Sequence, residues 1–313
     1  MVDSVVLVFP GQGAQVIGMG RDVAEALPEA RALFQRADDL LGIPLTRIIF
    51  EGPEAALIDT SIQQPALVLV GLVIKKALEI KRGRPLNCVA AAGLSLGEYT
   101  ALSAVGALTF DEAVRLAHRR GELMKLASQQ IPCGMAVVLN LDAEKIKNAC
   151  AQAAREMNNI VSISNFNGGG QIVIGGENAA LTKAMELCKA AGAKRVLKLP
   201  VAGAFHTALM QPAADAFAAE LDRVQFSTAT APVYANVTAA PVKTSTEIRE
   251  ALKQQIVNPV LWEQTVKNLM SDGHKKFLEL GPGSTVSNMI RRIAPEAECQ
   301  AITTWAEALA FSS

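Results

Sequence analysis

The sequence predicts an α/β protein: a large lobe with a mostly parallel sheet, carrying a small inserted lobe. Three observations predict it. Over residues 1–132 and 201–313, short apolar runs (5–9, 88–92, 277–280) alternate with helical patterns, the order of a parallel sheet covered on both faces. Residues 133–200 carry a self-contained β-α-β-β-α-β pattern between Pro132 and Pro200. The chain has 313 residues, half of them hydrophobic, which is more than one compact core usually holds.

Residues 5–9 are apolar throughout and read as a buried strand. The following Pro10-Gly11-Gln12-Gly13-Ala14-Gln15-Val16 suggests a phosphate loop, but Val16 stands where G-x-G-x-x-G needs its third glycine, and no Lys-Ser/Thr follows. A loop here can instead lend a backbone N–H to an oxyanion, with Gln12 as the donor. Residues 22–41 read as helix broken at Pro28. Another helix, apolar nearly all round and so expected between layers, runs from Ile62 to about Lys81. Its longest apolar run, 66–74, is nine residues, too short to span a bilayer. The basic stretch 81–85 reads as a solvated turn.

The strand 88–92 ends in Gly93-Leu94-Ser95-Leu96-Gly97, and helix formers follow from Glu98. Strand, G-x-S-x-G and helix together make a nucleophile elbow, so the large lobe reads as α/β-hydrolase-like. The turn is sharp, and a Cβ at Gly93 or Gly97 would crowd the neighbouring strand or helix. Ser95 sits at the tip, and the N–H of Leu96 at the helix start is placed to meet an oxyanion. Residues 110–129 read as an amphipathic helix. Gly121 costs it about 1 kcal/mol relative to alanine, and such a glycine often admits a close neighbour.

In the inserted lobe 135–139, 160–166, 171–174 and 194–199 read as strands, with helices at 142–157 and 178–191, the ferredoxin-like order. Beyond it, 233–236 reads as a strand, 245–257 and 262–271 as helices, and 277–280 as a buried strand entering Gly281-Pro282-Gly283.

A serine nucleophile needs a base, and histidine is the usual one near neutrality. The chain has three. His274 lies in a charged turn and His118 on the polar side of a helix. His206 follows a glycine-containing apolar loop at a loop-to-helix junction and is the candidate. No Asp or Glu lies within eight residues of it, so its partner comes from elsewhere or is a backbone carbonyl.

Lys plus Arg and Asp plus Glu balance at 30 each and aromatics are 4 %, which argues against a nucleic-acid partner or an anionic membrane surface. Five scattered cysteines without C-x-x-C, and three isolated histidines, offer no metal spacing. Cys88, Cys150 and Cys188 read as reduced core residues, which implies a reducing compartment. The start lacks a basic n-region and is no signal peptide. The expected location is the cytoplasm, or an organelle such as a plastid if a transit peptide has been removed.

Taken together, Phe9-Pro10-Gly11-Gln12-Gly13, Gln63-Gln64-Pro65-Ala66, Gly93-Leu94-Ser95-Leu96-Gly97-Glu98-Tyr99, Arg120-Gly121, Asn165-Phe166-Asn167, Phe205-His206, Asn258-Pro259 and Gly281-Pro282-Gly283 resemble the malonyl-CoA:acyl carrier protein transacylase family. The family also occurs as acyltransferase domains of fatty acid and polyketide synthases. The match runs nearly end to end, and its order is specific where each piece is weak. The resemblance implies ping-pong transfer of malonyl from malonyl-CoA to the phosphopantetheine thiol of holo acyl carrier protein, supplying fatty acid synthesis. It implies no permanently bound cofactor, no metal and a monomer.

By resemblance Ser95 is the nucleophile and His206 the base, with the Gln255 carbonyl orienting the histidine. Gln12 and Leu96 match the oxyanion donors. Arg120 matches the arginine that pairs with the malonyl carboxylate, and Gln64 lines the acyl pocket. Phe205, where multidomain relatives use serine for methylmalonyl, favours malonyl. Leu94 departs from the histidine that many members carry before the serine, which changes pocket polarity but not the base. Lys194, Arg195 and Lys198 are candidate contacts for an acidic carrier protein. Two other readings use the same elbow: a serine hydrolase, which has no use for Arg120, and a non-catalytic docking scaffold, in which Ser95 or His206 would be dispensable.

Overall fold

Two sheets organise the chain, and the computed structural model describes residues 4–201 and 203–311 of it. The strands are β1 Val5–Phe9, β2 Cys88–Gly93, β3 Cys133–Leu139, β4 Val161–Gly168, β5 Gln171–Glu177, β6 Arg195–Lys198, β7 Val233–Tyr234, β8 Pro241–Val242, β9 Lys276–Leu280 and β10 Glu298–Ile302. The first sheet has the order β10-β9-β1-β2-β7-β8, parallel except for the antiparallel β7–β8 edge. The inner strands β1 and β2 are short apolar runs because both of their faces are covered. The second sheet, β4-β5-β3-β6, is wholly antiparallel. Its order and its two helices, Ala143–Met157 and Asn178–Ala190, are those of the ferredoxin-like motif.

The second sheet shows the two-residue period of a strand. Ala136, Val138, Ile172 and Ile174 pack under its own helices, whereas Met135, Val137 and Val173 turn towards the core of the first sheet. Hydrogen bonds from Phe166 N to Val260 O (2.9 Å) and from Val260 N to Ser164 O (3.0 Å) tie β4 to the chain near the first sheet. A cleft forms between them.

The long helix is Thr60–Arg82, longer at both ends than its apolar pattern suggested. By length and composition it could cross a bilayer, but 78 % of its most apolar window is buried inside the protein, as for a core helix. Lys81 and Arg82 are its last turn rather than a solvated loop. Lys81 Nζ donates to Phe311 O at 2.6 Å, and the Arg82 guanidinium sits over the Phe311 ring. Gly121 lets this helix meet Phe110–Gln130, since a Cβ there would lie 2.4 Å from Thr60 O.

Of the predicted elements that end earlier than expected, two serve the cleft by doing so. The strand expected at 233–236 stops at Tyr234, releasing Asn236 from the ladder. The helix expected at 245–257 ends at Gln255, so the carbonyl of Gln255 has no helical partner and is free to accept elsewhere. Cys150 and Cys188 are buried as expected, Cys88 only partly, and all five cysteines are free thiols.

Candidate active site

The loops after β1, β2 and β7 meet at the carboxyl ends of the parallel strands, where ligands of open α/β sheets bind. The β2 loop is the elbow. A Cβ on Gly93 would lie 1.9 Å from the carbonyl carbon of Gly97, and one on Gly97 would lie 2.4 Å from Phe9 O. Strand and helix therefore touch through hydrogen atoms alone. The compression drives Ser95 to φ 52°, the left-handed region that a residue with a Cβ rarely takes. The helix Gly97–Ala104 starts directly behind it.

Ser95 Oγ lies 2.7 Å from His206 Nε2. The other ring nitrogen, Nδ1, lies 2.8 Å from the Gln255 carbonyl. A carbonyl can only accept, so the proton sits on Nδ1 and leaves Nε2 as the acceptor for the serine proton. Burial first, then the positive charge of Arg120, pull the His206 pKa down to about 4. Its bonds to the Gln255 and Asn258 backbone act in the opposite direction. The imidazole is neutral at neutral pH, as a proton acceptor must be.

Arg120 is 1 % exposed and lies beneath the serine. Its Nη2 donates to Ser95 Oγ at 3.0 Å and its Nη1 to Gln64 Oε1 at 2.7 Å, while Nε has no partner among the described residues. Gln64 is itself fixed by a contact of its Nε2 with Met124 Sδ at 3.6 Å. Burial lowers the arginine pKa and the Tyr99 and Glu98 side chains oppose it. A guanidinium stays charged through such a shift. The fork keeps unused donors for a carboxylate.

The β1 loop approaches the elbow so closely that a Cβ on Gly11 would lie 2.4 Å from Leu94 O. That closeness brings Gln12 to the cleft beside Ser95. The backbone N–H groups of Gln12 and Leu96 donate to no described residue, whereas the N–H of Ser95 is taken by Asn236 Oδ1 at 2.6 Å. The free pair is where an oxyanion would find donors.

The cleft holds about 170 Å³ and is walled by Met124, Met135, Val173, Leu199, Val201 and Phe205, with Leu94 at the elbow. Leu199 and Val201 follow the edge strand β6, on which Arg195 and Lys198 are exposed, as is Lys194 just before it. Phe205, His206 and Gln12 line it too, and Phe205 and Gln12 also border a neighbouring hollow of about 290 Å³. Of the other histidines, His118 bonds the Ser61 carbonyl at 2.8 Å, away from the serine. Among the described residues no group of three His, Cys, Asp or Glu side chains converges as a metal site.

Sequence reasoning missed Asn236 and gave Glu98 and the Gln255 side chain no task. Glu98 stood in the elbow motif as a possible signal, whereas Asn236 had none. Asn165 and Asn167 border the cleft as well, and the resemblance gives their triplet no role.

A serine on a strained elbow, bonded to a neutral histidine and facing spare backbone donors, defines a protein of the serine acyl-transfer class. Residues 6–306 match the acyl transferase domain family, and the chain belongs to it. It is 41 % identical, over 93 % of each chain, to the malonyl CoA-acyl carrier protein transacylase of Haemophilus influenzae. It is 38 % identical, over 94 % of each chain, to that of Escherichia coli. The solved transacylase of Coxiella burnetii superposes with a TM-score of 0.94 at 35 % identity, covering 99 % of this chain and 97 % of that one. A malonyl-transacylase solved with a type II PKS acyl-carrier protein superposes with a TM-score of 0.91 at 39 % identity, covering 98 % and 99 %.

Proposed function

We propose that this acyltransferase moves malonyl from malonyl-CoA to the phosphopantetheine thiol of holo acyl carrier protein, supplying fatty acid synthesis through a malonyl-Ser95 intermediate. The observation that carries the reading is one oxygen with two partners: Ser95 Oγ lies 2.7 Å from His206 Nε2 and 3.0 Å from Arg120 Nη2. A base and a carboxylate receptor converge on one nucleophile. A plain hydrolase needs only the first.

Ser95 Oγ attacks the thioester carbonyl and its proton passes to His206 Nε2. The oxyanion is met by the N–H groups of Gln12 and Leu96. The C–S bond breaks, and CoA leaves as the thiol with the proton from His206. The carrier thiol then gives its proton to His206, attacks the malonyl-serine ester, and departs acylated as the proton returns to Ser95. Arg120, steadied by Gln64, pairs with the free carboxylate. That pairing cancels the positive charge that helps to hold His206 down, so a malonyl group strengthens the base that will act on it. Phe205 limits the α-carbon, and the Gln255 carbonyl holds the ring of His206.

Residues 133–200 act as an inserted lobe that closes the cleft over residues 1–132 and 201–313. Lys194, Arg195 and Lys198 lie at its edge and suit an acidic carrier. The chain works as a cytoplasmic monomer with no resident cofactor. Labelled malonyl-CoA and holo carrier protein test the reading: initial rates should give parallel double-reciprocal lines, with transfer lost in Ser95→Ala. Intersecting lines, or label released as malonate whether or not carrier is present, would reject it.

A further inference from the structure

Behind the serine lies a second set of polar side chains that the transfer steps do not use. Glu98, Asn236 and Gln255 are each at most 1 % exposed, and none lines the cleft. Glu98 Oε2 accepts from the Asn236 backbone N–H at 3.2 Å and from Gln255 Nε2 at 2.6 Å. Asn236 grips both sides of the elbow: Oδ1 accepts from Ser95 N–H at 2.6 Å and Nδ2 donates to Gly93 O at 2.7 Å. Gln255 Nε2 also donates to Ser95 O at 2.9 Å, while the Gln255 backbone carbonyl accepts from His206 Nδ1. Either amide turned over would set donor against donor or oxygen against oxygen, so the bonds themselves fix both orientations.

We infer that Glu98 is a positioning residue that locks the nucleophile and the base into one frame, acting on the serine through Asn236 and on the histidine through Gln255. The elbow needs such a restraint, because a residue held at φ 52° persists only where its surroundings over-determine it. Serine and histidine come from segments 111 residues apart, and an error of about 1 Å between them costs on the order of 100-fold in rate. A carboxylate is a costly choice for so buried a place, but its bonds are charge-assisted and about twice as strong as neutral ones.

Burial pushes Glu98 up to about 7, against its bonds to Gln255 and Asn236 and the charge of Arg120. The titratable and charged groups facing it are Arg120 on the helix Phe110–Gln130 and the neutral Tyr99 hydroxyl on its own helix. Its carboxylate is therefore full only above neutral pH, and the frame is tightest there.

The test is the rate at which a fluorophosphonate labels Ser95, followed by intact mass. Oγ bonds to phosphorus, fluoride leaves, and the serine proton goes to water by way of His206. No acyl donor is involved, so the result stands apart from the malonyl reading. Wild-type labelling should rise several-fold across about pH 6 to 8. Glu98→Gln should be flat over that range and about 10-fold slower at the upper end, without a lower melting temperature. Asn236→Ala should label about 10- to 100-fold more slowly. A flat wild-type profile overturns the inference. So does a slowed Glu98→Gln that keeps the wild-type profile, because that is loss of structure rather than of the carboxylate. If Asn236→Ala does not fold, the two pH profiles decide.

Discussion

The two sides of the cleft are built by opposite rules. On the elbow side, polar groups from the loops after β2 and β7 and from two helix ends are buried and bonded to one another at 2.6–3.2 Å. On the side of the second sheet, Met135, Val173 and Leu199 offer apolar surface. The elbow side fixes atoms to within the tolerance that chemistry needs. The wall shapes the space for whatever the serine holds. Substitutions on the two sides should therefore fail differently, in rate on one and in selectivity on the other.

The largest effect is expected where the bonds converge. His206→Ala should lower the single-turnover acylation rate by at least about 10²- to 10⁴-fold, the usual contribution of a positioned base, with the substrate KM nearly unchanged. Stopped samples weighed as intact protein give this directly. A matching rise in KM would mean that the elbow side binds as much as it reacts.

Arg120→Lys comes next, because Arg120 belongs to both sides: it is bonded to the serine yet selects the acyl group. Lysine keeps the charge and loses the fork. The ratio of kcat/KM for malonyl-CoA over acetyl-CoA should fall by about 10- to 150-fold, the worth of one charge-assisted bond of 1.5–3 kcal/mol. An unchanged ratio would move the carboxylate receptor elsewhere.

The pH dependence of stability separates two elbow-side groups by sign. The folded-state pKa of His206 is lowered from 6.5 to about 4, so its contribution is present above about 6.5 and is lost as pH falls towards 4. Glu98 is raised from 4.5 to about 7 because burying its charge costs more than the stronger bonds of the carboxylate return, so its contribution to global stability is present below about 4.5 and is lost as pH rises through 7. Denaturant midpoints should fall on both flanks in the wild type. In Glu98→Gln the alkaline fall should disappear while the acid one stays. An alkaline fall kept in that variant would assign it to another group.

The smallest effect is on the wall. Phe205 separates the cleft from the neighbouring hollow, so Phe205→Ala should join them. Use of a branched acyl-CoA such as methylmalonyl-CoA should rise by about 10-fold, in keeping with 1–3 kcal/mol per methylene, with the malonyl rate little altered. A fall in both rates would show that Phe205 supports the elbow instead.

What could be read from the sequence divides along the same line. The elbow was legible because G-x-S-x-G stands between a strand pattern and a helix pattern, and the glycines answer to clashes that any such turn makes. His206 was legible by elimination among three histidines. Arg120 needed the resemblance, since an arginine on an amphipathic helix is ordinarily solvated. Asn236 was not legible. Its work depends on a serine 141 residues away, and it looks like the last residue of a short strand. The strand β10, whose Glu298–Ile302 run mixes polar and apolar residues at a sheet edge, carried too weak a pattern to be seen.

The most direct measurement is intact-protein mass spectrometry after brief mixing with malonyl-CoA, followed by addition of holo acyl carrier protein. The account predicts a malonyl adduct that maps to Ser95, is absent in Ser95→Ala, and moves onto the carrier when the carrier is added. An adduct on another residue, or one that decays to malonate at the same rate with and without carrier, would contradict it.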